Sequence, residues 1–153
     1  MKLEQNEANA KYDAFLMDMD EQLEWLEEEA AKHAIPLDGT PADFENLERL
    51  FDLMAGSQDK EFVTKLSITF ARHLGEIVRL NNGGQWRLSQ EDKSSPHFAM
   101  PVIVSHSPVA GLEFAPILVM RSYAIYRKEG TLRRAVQAQT HPRPLDLSGL
   151  AED

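Results

Sequence analysis

The sequence predicts an α+β domain: an N-terminal layer of three helices, a β-hairpin that can belong to a small antiparallel sheet, and a C-terminal helical segment. Three observations carry this. Apolar residues recur at helical spacing through the first half of the chain. The pattern changes to alternation after Asn81-Asn82-Gly83-Gly84, where Trp86 opens a strand, and Pro116 restarts a helix after a turn-rich stretch. A chain of 153 residues is long enough to bury one ordinary core. Residues 1–140 read as a single domain, and 141–153, punctuated by Pro142 and Pro144, as a flexible tail.

The first predicted helix spans Gln5 to His33. Tyr12, Leu16, Met19, Leu23, Leu26 and Ala30 alternate in steps of four and three, which makes a narrow seam for a neighbouring helix. Trp25 and Met17 lie off that seam. Ile35-Pro36-Leu37-Asp38-Gly39 turns the chain, and Thr40-Pro41 reads as a cap with proline at the first helical position. A second helix follows, with Phe44, Leu47, Leu50, Phe51 and Met54 inward, and stops at Ala55-Gly56. The third runs from about Asp59 to Asn81, with Ser57 or Gln58 near its cap. Phe62, Val63, Leu66, Phe70, Leu74 and Ile77 form its apolar sector, with His73 inside it. Gly75 sits among Thr64, Ser67 and Ala71 on a flank of small residues. A mid-helix glycine costs roughly 1 kcal/mol relative to alanine, so a second backbone crossing there is expected.

Gln85 to Ser89 alternates as a strand, and Phe98 to Val104 reads as the returning strand with Pro101 at an edge or bend. Leu112–Arg127 is read as a helix with Pro116 in its first turn, although Ile117-Leu118-Val119-Met120 would also suit a third strand. Thr131 is expected to cap a last helix over Leu132–Gln139.

The absence of cysteine removes disulfides, thiolate nucleophiles and thiolate metal sites. No apolar run approaches the ~18 residues of a membrane span, so a cytoplasmic protein without a membrane partner is expected. Residues 1–61 hold 17 acids against 5 bases, while residues 62–153 hold 8 against 11. An acidic chain repels nucleic acid, so the expected partner is a protein, and a basic one. Arg121, Arg127, Lys128, Arg133, Arg134 and Arg143 could instead meet the acidic first helix, within one molecule or across a homodimer.

Leu74-Gly75-Glu76, Arg79, Gly83-Gly84 and Trp86 together resemble a pattern shared by a group of small bacterial proteins of unassigned function. There a helix ending in L-G-E-x-x-R runs into G-G-x-W, which opens a hairpin. A proline-led apolar segment and a glycine follow, matched here by Phe114-Ala115-Pro116 and Gly130. The resemblance covers roughly Phe62 to Val136. It implies the fold unit and no reaction, and some of the group look like immunity or accessory proteins, which leans toward binding.

Arg72, Glu76 and Arg79 share one helix face and form the candidate binding face. A carboxylate between two guanidinium groups favours its ionised form and makes a poor general acid. Glu76 could equally cap the Gly83-Gly84 turn. His73 and Glu76 form H-x-x-E, but they diverge by roughly 60° on a wheel of ~100° per residue, so a core histidine is the better reading. The rival to a non-enzymatic binding module is an enzyme that holds a small molecule or metal at His73, Glu76 and Arg79. Ser105-His106-Ser107 lacks a nucleophile elbow. Neither a cofactor, a metal site nor a catalytic residue is assigned.

Overall fold

The computed structural model describes residues 2–141. The chain forms α1 (Lys2–Met17), α2 (Met19–Lys32), α3 (Asp43–Ala55), α4 (Lys60–Asn82), β1 (Gln85–Leu88), β2 (Pro101–Val104), α5 (Pro116–Tyr126) and α6 (Thr131–Thr140). The fold is α+β, with helices on both sides of a hairpin in the sequence. The tail predicted from residue 141 lies, from 142 onward, outside the described residues.

Helix α4 is the central element, and α5, α2 and α3 pack on it. Its ~35 Å length lets it touch each of them in turn. Phe70, Leu74, Ile77 and Val78 are fully buried along it, joined by Leu26 and Ala30 of α2, Leu47, Leu50 and Phe51 of α3, and Met120 of α5. Phe51 meets Phe70 and Tyr123 edge-on, at 5.2 and 5.8 Å between ring centres. The Asp59 carboxylate caps α4 by accepting from Phe62 N–H at 2.8 Å, so the cap is Asp59 and not Ser57 or Gln58.

Four helices precede the hairpin instead of three, because the first predicted helix breaks at Asp18. No proline or glycine is present there. The ladder of backbone bonds is interrupted between α1 and α2, and at the break the Phe15 carbonyl accepts from Arg72 Nε at 3.2 Å. A side chain inserted into the helical ladder is a recognised cause of bending. The inward residue becomes Phe15, one position off the predicted seam, which leaves Leu16 37% exposed. Met17 and Trp25 stay on the surface.

Thr40 does not cap α3. It belongs to a turn in which Asp38 Oδ1 accepts from both its N–H and its hydroxyl, and α3 begins three residues later, at Asp43. The hairpin is antiparallel, with Trp86 opposite Ile103 and Leu88 opposite Pro101. On its other edge Ile103 exchanges both backbone bonds with Phe114, at 2.9 Å each, so an isolated bridge supplies the third partner the two strands need. Residues 112–115 are therefore extended, and the helix starts at Pro116, its first residue. Gly83 and Gly84 hold φ of +74° and +113°, and a Cβ on Gly84 would sit 2.6 Å from the Val104 carbonyl. This turn requires glycine. Gly130, at φ +86°, is the N-cap of α6, with Thr131 its first residue.

Candidate functional site

The predicted face of Arg72, Glu76 and Arg79 is divided by what packs on it. Arg79 Nη2 donates to Glu76 Oε1 at 3.0 Å, and its Nε donates to Oε2, which also accepts from the Trp86 indole N–H at 3.1 Å. Both carboxylate oxygens are thus engaged, and the bond to Glu76 holds the Arg79 guanidinium above its ordinary pKa. Glu76 bonds to Trp86, two residues beyond the Gly83-Gly84 turn. Arg72 turns away from Glu76. It is buried, its guanidinium lies 4.4 Å from the centre of the Phe15 ring, and it binds the Phe15 carbonyl. Burial pushes its pKa down, against the opposing charge of Asp18. Arg72 is a fastener between α4 and the α1–α2 bend.

What crosses Gly75 is a side chain and not a backbone. A Cβ there would overlap two indole carbons of Trp86, Cη2 and Cζ2, with Pro116 Cγ at 3.3 Å. Trp86 also meets Phe15 edge-on at 5.1 Å between centres. The four motif positions Gly75, Gly83, Gly84 and Trp86 therefore share one structural task. The glycines let the strand leave α4 and fold its indole back onto the helix.

His73 is a core histidine. Its Nε2 lies 2.9 Å from Asp43 Oδ2, and both side chains are almost wholly buried. The same carboxylate accepts from Asp38 N–H and Gly39 N–H, at 2.8–3.1 Å. Burial alone would raise the Asp43 pKa, but the bonds from His73, Asp38 and Gly39 outweigh it and hold the carboxyl below its ordinary 3.8. His73 and Glu76 are thus committed to different partners. Among the described residues no group of three or more His, Asp or Glu side chains is arranged to hold a metal ion.

A second polar cluster escaped the sequence reading. Glu113 accepts from Ser89 Oγ at 2.8 Å, from Arg87 Nη2 at 3.2 Å and pairs with His97 Nε2 at 2.6 Å. Burial opposes the charge, but these donors win and lower the Glu113 pKa. Serine and imidazole converge on the carboxylate and not on each other, so the cluster ties the long hairpin loop to the α5 connection. The period-two spacing of Arg87 and Ser89 was its only local trace. His106 and Ser107 both bind Gln139 of α6, at 2.6 Å. The Gln139 amide nitrogen donates to the Glu113 carbonyl, so its oxygen faces His106, and His106 carries its proton on Nε2. Its Nδ1 is buried with no hydrogen-bond partner among the described residues.

Two arginines of the basic C-terminal third, Arg127 and Arg133, find their acids on α3 and not on the first helix, while Arg143 lies outside the described residues. Arg133 binds Glu45, with Nη2 to Oε1 at 2.8 Å, and lies over the Phe44 ring. Glu48, almost fully buried, accepts from Gly130 N–H and Leu132 N–H at 2.9 and 3.0 Å and so caps α6 from another helix. Asp52 accepts from Tyr123 Oη at 2.9 Å and pairs with Arg127, whose guanidinium lies over Phe51. Burial and this carboxylate push the Tyr123 pKa up. Glu45, Glu48 and Asp52 form one stripe, and every member is used.

On α1 and α2, by contrast, only Glu29 forms an ion pair among the described residues, a local one with Lys32. Trp25, 37% exposed, has Glu21, Glu28 and Glu29 at the helical neighbour positions i−4, i+3 and i+4. Comparison with known proteins found no matching family model, no matching curated protein and no matching solved structure. Among the described residues no helix is long and apolar enough to cross a membrane.

Proposed function

We propose that this chain is a non-enzymatic, immunity-like protein-binding module that offers the outer face of α2, with the adjoining end of α1, to a basic protein. One observation carries the reading. Glu21, Glu24 and Glu28 repeat the i, i+3, i+7 spacing of Glu45, Glu48 and Asp52, with an aromatic residue beside them, and all three are exposed and unpaired within the described residues. The α3 stripe shows what such an arrangement holds: guanidinium groups that pair with the acids and lie over neighbouring rings. Such cation–π contacts add about 0.5–1 kcal/mol at exposed sites. The partner expected is therefore one that brings arginines.

The test is capture on the immobilised full chain, alongside a variant carrying Glu21→Lys, Glu24→Lys and Glu28→Lys. A partner should be retained by the parent, released by salt and lost from the variant, because exposed charges are screened over ~8–10 Å at ordinary ionic strength. Retention that ignores both salt and charge reversal would refute the reading. A panel of divalent metals, nucleotides and metabolites in a thermal-shift assay checks the enzyme alternative. A specific rise of several degrees with one of them would favour a ligand-binding role over this one.

A further inference from the structure

A groove of 540 Å³ runs between the N-terminal half of α4 and the C-terminal half of α5. Its apolar lining is Val63, Ile68, Ala124 and Ile125, the last of these 71% exposed, with Gln58, Thr64 and Ser67 beside them. Lys60, Arg121 and Arg127 line it with no carboxylate beside them in the lining; Arg127 is paired with Asp52, whereas Lys60 and Arg121 form no ion pair among the described residues. A basic, apolar groove on a chain of net charge −9 is the complement of that chain's own α2, where Trp25 stands among glutamates.

We propose that this groove is occupied by α2 of a second copy of the chain, with Trp25 against its apolar lining residues and its flanking glutamates against Lys60 and Arg121. The proposal rests on the reading of α2 as an interaction face and names one partner for it. A chain cannot fill its own groove, since Met19, Leu26 and Ala30 bury the opposite stripe of α2 in its own core. The placement of both surfaces suits a two-fold pair. Gln22 accepts from Thr69 Oγ1 at 2.7 Å, which fixes α2 along one side of α4, while the groove opens along the other. Between them Glu61 and Lys65 form an exposed strip. A two-fold axis over that strip would seat each α2 in the other copy's groove, giving a closed dimer and no open chain.

Light scattering coupled to gel filtration on the full chain tests this. The parent should elute at twice 17.3 kDa and dissociate as salt rises. Ile125→Asp removes the groove and Trp25→Ala removes the knob, and each variant alone should be monomeric while keeping the parent's circular dichroism and melting point. A mixture of the two retains one intact contact, the Trp25 of one chain in the groove of the other, and should recover a weaker dimer. A monomeric parent, a dimer that survives either substitution, or a mixture that stays monomeric at the highest concentration reached would each overturn the proposal. The Ile125→Asp variant keeps its α2 intact and should still capture a basic partner. Loss of dimer with capture retained by the parent leaves the proposed function standing, whereas capture that survives charge reversal on α2 removes that function independently.

Discussion

Helices α2 and α3 carry the same stripe of acids and use it in opposite ways. Glu21, Glu24 and Glu28 on one, and Glu45, Glu48 and Asp52 on the other, share their spacing. On α3 each acid is bound by α5 or α6: an arginine, the open N–H groups of a helix start, a tyrosine and a second arginine. On α2 all three face solvent. What separates them is the presence of a basic element packed against the helix. A carboxylate stripe is therefore a solvated face or a docking strip according to its neighbour, and its sequence is the same in either case.

The largest expected effect falls on α3. Glu48→Ala should destabilise the protein by about 3–4 kcal/mol, because the buried Leu132 N–H and the part-buried Gly130 N–H at the start of α6 lose a charged acceptor. Urea unfolding measures it, and a loss below 1 kcal/mol would make α3's stripe no more structural than α2's. Trp86→Ala should cost about 3 kcal/mol, since it empties the space over Gly75 and frees Glu76. An unchanged melting temperature would remove Trp86 as the anchor of the hairpin.

Acid should act on the α3 side as well. The Asp43 carboxyl is held below its ordinary value, so its contribution is fully present above pH 3.8 and is lost as pH falls through the lower folded-state value. The parent should therefore lose stability in that window, and Asp43→Asn should lose less over the same range. Equal acid sensitivity in the two proteins would contradict the assignment. A smaller penalty, about 1–3 kcal/mol, is expected for Gly75→Ala, where overpacking against the indole outweighs the gain in helix propensity. Stabilisation by that alanine would show that the indole can move aside. At the lower end, Glu24→Gln on α2 should change stability by no more than about 0.5 kcal/mol. A larger loss would mean that the α2 acids have structural partners after all.

Much of the fold was legible because it rests on local chemistry. The periodicity of Phe70, Leu74 and Ile77 made α4, the paired glycines made the turn, and Pro116 marked the start of α5. The candidate site was read less well. Arg72, Glu76 and Arg79 do share a helix face, but Phe15 and Trp86, distant in sequence, decide what each side chain meets. The seam from Tyr12 to Ala30 likewise promised one straight helix. At the break the Phe15 carbonyl is bound by an arginine 57 residues further along the chain, and no residue within the helix announces it.

The sequence by itself therefore determined most of the secondary-structure elements, the glycine-dependent turn, the core faces of α3 and much of that of α4, and the uneven distribution of charge, all of which depend on neighbours within a few positions. Only the tertiary structure decided where the helix bends, that an indole and not a backbone lies on Gly75, and which acids meet bases. Those outcomes depend on which surfaces come into contact. A side chain's energy is set by the groups within a few ångströms of it in space, and for Arg72, Glu48 and Glu113 those groups lie on other segments of the chain.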